Sequence, residues 1–467
     1  MPVLAQRSKP LVVPEYCKGC GRCIASCARG CFTLGTEVNA ATGLVPVNLD
    51  LSNCNGCGLC FDACPEPYGL SLLGTGKLGT AASANAPEGP ADGTKSSLPS
   101  PDITGTKVPL PPCEPIVMKG TSAAAVGAVL AGCRHVFGYP ITPSTEGAEM
   151  MARILPQLGG VFLQAVSEVA TVNMMYGTGG AGTRCLTFTS SPGFSLMLEG
   201  ISYMVGAEVP AVFVNIMRGG PGLGNIGPEQ ADIKLACRGL GHGNTHAISF
   251  APASPQEMLD LTMLSFDLAF KYRNPVLVLG DGYLGQMVGK VQLPDAMVVP
   301  ATPGWAVHGD GPHRGNLICS LELDPLELER HNEHLNEKYH EMTLLEQRAE
   351  RYYCDDASVV LVACNTPSQL CKGAVQQLRG EGVKAGLLRP VTIWPFPIDD
   401  LCAVLSGAEH LVVVEASSGQ LEDEMRLALS HAGVHAPPPV SHVRRMGGVL
   451  PTQDEITEHV HGLKGVK

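Results

Sequence analysis

The sequence predicts an α/β protein that carries a small cysteine-rich domain at its amino end. Three observations predict this fold class. Nine of the 18 cysteines lie between Cys17 and Cys64. A stretch rich in Gly, Ala, Ser and Pro then follows Leu72. From Met118 onward, short apolar runs alternate with segments typical of helices, which indicates βαβ units and a parallel sheet.

The composition excludes several classes of protein. The net charge of −12 argues against a nucleic-acid partner, because phosphate binding needs a basic surface. No apolar run approaches the length that spans a bilayer, and the amino end lacks the pattern of a signal peptide. With 55 glycines and only 16% charged residues, the composition is typical of a compact α/β protein. We therefore expect a soluble cytoplasmic chain without a membrane span.

Two cysteine runs share one spacing, CKGCGRCIASC from Cys17 and CNGCGLCFDACP from Cys54. In a chain without export signals, dense and regular cysteines indicate metal binding rather than disulfides. The spacing lets three thiolates surround one face of an iron–sulfur cube, whereas the fourth lies too far along the chain to close it. Zinc knuckles are the alternative, but they have no use for the third and fourth cysteines. We therefore expect two 4Fe–4S clusters.

The two runs resemble those of two-cluster bacterial ferredoxins, in which the fourth cysteine of each run ligates the other cluster. The resemblance assigns cluster one to Cys17, Cys20, Cys23 and Cys64. It assigns cluster two to Cys54, Cys57, Cys60 and Cys27. Cys64 is followed by Pro65 as in that family, whereas Cys27 is followed by Ala28. Cys31 is left over and is not expected to be a ligand.

The segment from Met118 gives the α/β elements in order. A helix, TSAAAVGAVLAGC, and a strand, HVFGYP, precede the helix STEGAEMMARILPQL, with Ser144 or Thr145 as its N-cap. The strand GVFLQAV leads to a helix that Glu168 begins, and CLTFT, FSLMLEGISYMVGA and PAVFVNI continue the alternation. Ligands of parallel sheets bind at the carboxyl ends of the strands, which selects the loops 139–145, 167–168 and 217–227.

A second α/β pattern begins near Ser358 with SVVLVAC and ends with HLVVVEAS. A helical connector, LELERHNEHLNEKYHEMTLLEQRAERYY, separates it from the first. We therefore predict a cysteine-rich domain at 1–72, a flexible linker at 73–115, an α/β domain at 116–300, a helical connector at 301–354, and an α/β domain at 355–467.

Four stretches carry a resemblance to a known family: GYPITPSTE, QAVSEVATVNMMYGTGGAGTRCLTFTSSPGFSLMLEGISYMVGAEVP, NIMRGGPGLG and LRPVTIWPFP. Over roughly residues 116–467 the chain is similar to the α subunit of the 2-oxoacid:ferredoxin oxidoreductases. The cysteine-rich segment resembles that family's small ferredoxin subunit. The resemblance implies a pyrimidine-binding-type parallel α/β domain of thiamine enzymes, followed by a transketolase-C-like α/β domain. It also implies thiamine-dependent oxidation of a 2-oxoacid to acyl-CoA and CO2, with electrons passing singly to ferredoxin.

The same resemblance implies roles for individual residues. Glu168 would hydrogen-bond the aminopyrimidine of thiamine diphosphate, although an ordinary helix-start carboxylate is the alternative. Thr142 would face the reacting carbons; the alternative is that it only stabilises the turn in which it lies. Arg218 would hold the substrate carboxylate with its planar fork, or form a surface ion pair. The other residues expected to line the cofactor pocket are Tyr139, Pro140, Ser190, Ser191 and Gly193.

The resemblance further implies partner subunits. A β subunit would supply the magnesium-diphosphate site, a γ subunit would complete the coenzyme A site, and a soluble ferredoxin would accept the electrons. We expect a dimer of such heteromers. Met217 stands where 2-oxoglutarate members tend to carry glutamine, which favours a branched-chain substrate such as 2-oxoisovalerate. The alternatives are 2-oxoglutarate, pyruvate and aryl 2-oxoacids.

Two motifs suggest other binding sites, and two alternative functions have to be weighed against the one above. Gly222, Gly224 and Gly227 spell G-x-G-x-x-G, but the next strand lacks the acidic residue of a dinucleotide site. Asp281 lies in a GDG that resembles the start of a magnesium-diphosphate motif, but no suitable downstream ligand follows, so we expect a strand-ending turn. That gap disfavours a self-sufficient thiamine decarboxylase. A non-catalytic electron-transfer adaptor is disfavoured because Glu168 and Arg218 are both present.

Overall fold

The computed structural model describes residues 9–14, 16–39, 43–64, 69–72 and 105–463. The chain divides into two compact units, Met1–Ser96 and Ser97–Lys467. This division separates the cysteine-rich part from the α/β part. Within the described stretches, no helix has both the length and the apolar composition that crossing a bilayer requires.

The first unit consists of short strands and helices. In chain order they are β1 Pro10–Val12, α1 Arg22–Ser26, β2 Phe32–Thr33, β3 Asn48–Leu49, α2 Leu59–Ala63 and β4 Leu70–Leu72. β1 pairs with β4 and β2 with β3, both antiparallel. Gly21 and Gly58 precede the two helices with φ of 73° and 86°, a backbone that glycine adopts without strain. The two cysteine runs therefore fold as a repeated loop–helix unit.

Cysteines form much of the core of this unit. In the described part of the unit, the buried residues of its hydrophobic core are Cys17, Cys23, Cys31, Phe32, Val47, Cys60 and Leu70. So few apolar side chains bury little surface for a domain of this size. Bound metal clusters would therefore contribute directly to its folding free energy.

The second unit begins with elements that alternate as expected. They are β5 Thr106–Pro109, β6 Ile116–Lys119, α3 Gly120–Leu130, β7 His135–Gly138, α4 Thr145–Ile154, β8 Val161–Gln164, α5 Glu168–Gly180, β9 Cys185–Thr189, α6 Ser191–Gly206, β10 Val212–Met217, α7 Ile233–Arg238, β11 Ile248–Phe250, α8 Pro255–Tyr272, β12 Val276–Asp281, α9 Gly282–Gln286, β13 Val288–Val291 and β14 Ala296–Val299. A 3-10 turn, Leu155–Leu158, extends α4.

The remaining elements complete a second sheet. They are α10 Pro325–Leu345, β15 Ala349–Tyr352, β16 Val359–Val362, α11 Asn365–Gly380, β17 Ala385–Pro390, β18 Thr392–Trp394, α12 Ile398–Leu405, β19 His410–Glu415, α13 Gln420–His431, β20 Val440–Arg444 and α14 Gln453–His461. The second sheet has the order β15-β17-β16-β19-β20, with β15 antiparallel to β17 and the other neighbours parallel.

The first sheet has seven strands in the order β18-β11-β12-β10-β9-β7-β8. All neighbours are parallel except β18 and β11. Alternate residues of β10 face opposite layers, as the pleat requires. Val214 and Ile216 pack with α3 and α8, whereas Phe213 and Met217 pack with α5 and α6. The predicted α/β class, with helices on both faces of a parallel sheet, is confirmed.

Three segments depart from the pattern read from the sequence. Residues 73–104 of the expected linker lie outside the described residues, but Thr106–Pro109 forms β5 and pairs with β14. Within the expected connector, only Pro325–Leu345 is helical, and β15 forms an edge of the second sheet. The run KAGLLRPVTIW supplies two strands to different sheets, β17 to the second and β18 to the first. An apolar run predicts a strand but does not encode which sheet edge the strand joins.

Candidate functional site

The candidate site lies at the carboxyl ends of four neighbouring strands of the first sheet. In sheet order these strands are β8, β7, β9 and β10. Because parallel strands end at the same edge of a sheet, the loops that follow them meet there. The structure therefore brings together the three loops that the sequence analysis selected.

Glu168 is the first residue of α5, directly after the N-cap Ser167. The Ser167 hydroxyl accepts a hydrogen bond from the backbone N–H of Ala170 at 3.2 Å, which fixes the start of the helix. The Glu168 side chain lies against α6 at Gly193. A Cβ atom added at Gly193 would lie 2.6 Å from Oε1 of Glu168 and 2.5 Å from Oγ1 of Thr189. Glycine at 193 therefore leaves the space that the carboxylate occupies.

The carboxylate of Glu168 lacks a protein partner. Only 5% of the residue is exposed. Over the described part of the chain, no hydrogen bond or ion pair to this carboxylate is formed. The neighbouring Oγ1 of Thr189 is fully buried without a partner, whereas the Glu168 oxygens keep some accessible surface. The carboxylate can therefore accept a hydrogen bond from a bound molecule, and a protonated ring nitrogen of thiamine fits it.

Arg218 follows β10 and holds two loops together. Its Nη1 donates to the carbonyl oxygen of Thr142 at 2.7 Å, and its Nη2 donates to that of Leu223 at 3.1 Å. Only 6% of the residue is exposed, and its Nε has no partner. Arg218 is therefore not a surface ion pair. Each Nη atom keeps a second N–H for another acceptor.

The loop after β7 carries the expected residues Tyr139, Pro140 and Thr142. All three are exposed, and Thr142 is joined to Pro143 by a cis peptide bond. Ser144 is the N-cap of α4, although its hydroxyl donates to the Ile141 carbonyl at 2.8 Å and does not cap the helix. The Thr142 carbonyl reaches Arg218, so the loops after β7 and β10 are in direct contact.

Ser190 and Ser191 use their hydroxyls inside the protein. Ser190 Oγ donates to the Ile216 carbonyl at 2.7 Å, and Ser191 Oγ donates to Oδ2 of Asp232 at 2.6 Å. Both are buried and support the turn between β9 and α6. Met217 is fully buried in the core between β10 and α6. Its side chain therefore does not present an apolar wall to a substrate in this structure.

Two carboxylates at the site were missed by the sequence analysis. Asp232 accepts hydrogen bonds from Ser191 and Asn215, and burial raises the pKa of its carboxyl. Glu229 accepts from the backbone N–H groups of Gly220 and Gly447, at 3.3 and 2.8 Å. Nothing in the stretch PEQAD distinguishes it from an ordinary polar loop, because its partners are distant in sequence.

The GDG motif and the G-x-G-x-x-G motif both have structural roles. Asp281 is fully buried and accepts hydrogen bonds from the backbone of α9 and from both the N–H and the hydroxyl of Thr366. It is thus an N-cap at the end of β12, as expected for a strand-ending turn. Gly224 has φ of 54°, and a Cβ there would lie 1.7 Å from the Gly219 carbonyl oxygen. The lack of a side chain at Gly224 therefore lets the backbone of this loop fold back against Gly219.

The first unit contains two chambers lined by cysteines. One is lined by Cys17, Cys20, Cys23 and Cys64. The other is lined by Cys27, Cys54, Cys57 and Cys60, with Cys31 beside them. These are the two sets that the ferredoxin resemblance assigned. Backbone N–H groups of Val47 and Cys31 point at the sulfurs of Cys17 and Cys27, at 3.4 and 3.5 Å. Such N–H contacts tune bound iron–sulfur clusters.

The cysteine sulfurs are spread more widely than zinc would require. A tetrahedral zinc ion with Zn–S bonds of about 2.3 Å holds its sulfurs roughly 3.8 Å apart. Within the described residues, the groups of three possible ligands lying within 4.8 Å of one another include no cysteine. The spacing therefore favours an iron–sulfur cube.

Three family models match the chain. Residues 126–304 match pyruvate flavodoxin/ferredoxin oxidoreductase, thiamine diP-binding. Residues 357–456 match core domain II of pyruvate:ferredoxin oxidoreductase, and residues 16–67 match a 4Fe–4S dicluster domain. The matches therefore cover both units.

Curated relatives and a solved structure agree with these models. The ketoisovalerate oxidoreductase subunit VorB of Methanothermobacter thermautotrophicus is 45% identical, over 75% of this chain and 98% of the relative. The 2-oxoglutarate synthase subunit KorA of Methanocaldococcus jannaschii is 35% identical, over 74% of this chain and 99% of the relative. The 2-oxoglutarate:ferredoxin oxidoreductase from Magnetococcus marinus, solved with 2-oxoglutarate, coenzyme A and succinyl-CoA bound, has a TM-score of 0.68 at 27% identity. That match covers 75% of this chain and 65% of the other. The chain therefore belongs to the 2-oxoacid:ferredoxin oxidoreductases, as a subunit that combines a 4Fe–4S domain with a thiamine-binding domain.

Proposed function

We propose that this chain, with partner subunits, oxidises a branched-chain 2-oxoacid to its acyl-CoA and CO2 and passes the electrons through two 4Fe–4S clusters to a ferredoxin. The observation that carries the proposal is the unpartnered carboxylate of the largely buried residue Glu168, at the carboxyl edge of the first sheet. Thiamine diphosphate, when bound, supplies a carbon that stores the electron pair released as CO2 leaves.

Glu168 would accept a hydrogen bond from a ring nitrogen of the pyrimidine and hold a proton at that atom. This is general-base assistance, and it requires the carboxylate to stay in one place. Ser167 fixes the start of α5, and Gly193 lets the side chain lie against α6. The position of the carboxylate is therefore set by two helices.

Arg218 would bind the substrate carboxylate through the remaining N–H groups of Nη1 and Nη2. The contacts to the Thr142 and Leu223 carbonyls already hold its guanidinium in one orientation. A planar guanidinium fixed in this way binds a carboxylate with two parallel hydrogen bonds. Thr142, exposed beside it, would face the reacting carbons.

A partner subunit would complete the site. Both carboxylate oxygens of Asp281 already accept hydrogen bonds from Thr366 or from the backbone of α9, so neither is free to bind magnesium. Large apolar side chains are exposed next to Glu168, with Val166 at 87%, Val169 at 44% and Leu163 on the edge strand at 40%. Apolar surface of this kind beside a site marks a protein interface. We infer that a β subunit covers it and brings the magnesium-diphosphate site.

The branched-chain assignment depends on the relatives. Identity is 45% to a ketoisovalerate oxidoreductase subunit and 35% to a 2-oxoglutarate synthase subunit, over similar shares of this chain. Met217 does not add to this, since it faces the core. Coenzyme A would be the acyl acceptor, with a γ subunit contributing to its site, in a dimer of heteromers.

The test uses the complex isolated anaerobically through this chain. With thiamine diphosphate, magnesium and coenzyme A present, viologen reduction is followed with 2-oxoisovalerate, 2-oxoglutarate, pyruvate and indolepyruvate. We expect fastest coenzyme A-dependent reduction with 2-oxoisovalerate. Faster turnover of another acid would contradict the substrate assignment alone. No reduction with any acid, by a complex that keeps its iron and its partners, would instead support the electron-transfer adaptor.

A further inference from the structure

We propose that His308, Asp310 and His313 form a binding site for a divalent transition-metal ion of the zinc class. The three residues lie in HGDGPH, in the irregular segment between β14 and α10. One ligand atom of each lies within 4.8 Å of the other two. This spacing allows three side chains to reach a single ion.

The contacts of His313 indicate that a proton or a cation lies between its ring and the carboxylate of Asp310. Its Nε2 lies 3.1 Å from the Pro303 carbonyl oxygen, which can only accept, so Nε2 carries the hydrogen. In the neutral ring, Nδ1 then presents a lone pair. That lone pair faces Oδ1 of Asp310 at 2.5 Å. The distance is that of a hydrogen bond, so a proton lies between the two atoms when no ion is bound. A metal ion with bonds of about 2.1 Å to both atoms would replace that proton and hold them roughly 3.3 Å apart.

The surroundings favour a metal ion. A backbone carbonyl that binds the second ring nitrogen is the usual means of orienting a metal-binding histidine. The side chain of His313 is only 12% exposed, whereas those of His308 and Asp310 are about half exposed, so a fixed ligand faces an accessible opening. His308 Nδ1 lies 3.5 Å from Oδ2 of Asp310. Two imidazoles and one carboxylate suit zinc, cobalt, nickel or ferrous iron rather than magnesium or calcium.

The same loop is tied to the helix that begins with Glu168. Asn316 closes it by donating from Nδ2 to the carbonyls of Gly304 and Ala306, at 2.6 and 2.8 Å. The N–H of Val307 donates to the carbonyl of Gly180, the last residue of α5, at 2.9 Å. At 1.5 Å per residue, the helix separates the two sites by about 20 Å. The ion would therefore fasten a loop to the far end of α5 and would take no part in catalysis.

The first experiment counts zinc. Untagged, cluster-loaded chain is dialysed to equilibrium against low-micromolar zinc, and zinc and iron are measured by mass spectrometry. Because cysteines also bind zinc, the result depends on the difference in zinc content between the wild type and the variants. We expect the wild type to retain one zinc ion more per chain than the H308A/H313A double variant, at equal iron content. The H435A variant, which changes an exposed histidine elsewhere, should match the wild type.

The second experiment avoids a variant that fails to fold. D310N preserves size, and Arg314 is an exposed trypsin site within the loop. Zinc should slow cleavage after Arg314 at least tenfold in the wild type and have little effect in D310N. Equal zinc content in the wild type and the double variant, or equal protection of wild type and D310N, would overturn the proposal. The three side chains would then be a proton-bridged imidazolium–carboxylate pair.

Discussion

Gly193→Ala provides a sharp test of the Glu168 assignment. The added methyl group would lie 2.6 Å from Oε1 of Glu168, and ordinary contact begins near 3.4 Å. The carboxylate must therefore move by roughly 0.8 Å. A displacement of 1 Å at a catalytic group costs about 100-fold in rate, so we expect kcat to fall on the order of 10- to 100-fold.

Two effects on stability oppose each other in this variant. Oε1 of Glu168 is the end of a flexible side chain, but Oγ1 of Thr189, 2.5 Å from the added methyl group, belongs to a short and fully buried side chain that has little room to move. Gly193 lies within α6, where alanine is favoured over glycine by about 1 kcal/mol, which offsets part of this cost. The unfolding midpoint must therefore be measured beside kcat.

The assay is viologen reduction at saturating 2-oxoacid, together with the thermal unfolding midpoint. Gly177→Ala in α5 is the matched control, because a Cβ there meets no atom within 4 Å. We expect G177A to keep wild-type kcat. A G193A complex with wild-type kcat and wild-type thiamine affinity would refute the role of Glu168.

Three further predictions follow from named contacts. E168Q keeps the size of the side chain but cannot hold the proton, so kcat should fall about 10²- to 10⁴-fold while the subunits still assemble. C31A should keep the full iron content, whereas C64A should lose about half of it, as measured by iron analysis and electron paramagnetic resonance. E208Q should destabilise the second unit at pH 7 by about 2–3 kcal/mol. Burial opposes ionisation of Glu208, but Lys338, His334 and Arg273 together outweigh it and lower its pKa to about 2.

Each of these has a clear opposite outcome. An E168Q complex with wild-type kcat would make Glu168 a helix-start carboxylate only. Loss of iron in C31A would make Cys31 a ligand. Because the folded pKa of Glu208 is depressed, its contribution is present above the unfolded pKa and is lost as the pH falls through the folded one. The E208Q deficit should therefore stay constant from pH 7 to about 4.5 and shrink below that. Fluorescence of the two tryptophans, both in the second unit, measures it independently of the clusters.

Local patterns were sufficient to predict much of the fold. The apolar run CLTFT is β9, Cys185–Thr189, and Glu168 begins α5 as its N-terminal signals indicated. The resemblance of the two cysteine runs to those of bacterial ferredoxins implied the same two sets of cysteines that line the two chambers. These features depend on neighbours within a few residues or on a repeated motif, which a single sequence displays directly.

Contacts between distant residues could not be predicted in this way. The Arg218 guanidinium binds the carbonyl of Thr142, 76 residues away, and a backbone oxygen leaves no mark in the sequence. Met217 faces the core because β10 places alternate side chains on opposite faces, and the run VFVNIM, which is apolar on both faces apart from Asn215, does not distinguish them. The chain order of β17 and β18 likewise does not reveal that they join different sheets.

The strand β18 has a consequence for synthesis on the ribosome. The first sheet takes its other six strands from residues 135–281, and among the described residues the strand that pairs with its β11 edge is Thr392–Trp394. Between these lie β15, β16 and β17, which belong to the second sheet. A nascent chain that has completed the thiamine-binding segment must therefore keep an uncovered sheet edge until more than one hundred further residues have emerged. That interval is when this protein would most need a chaperone.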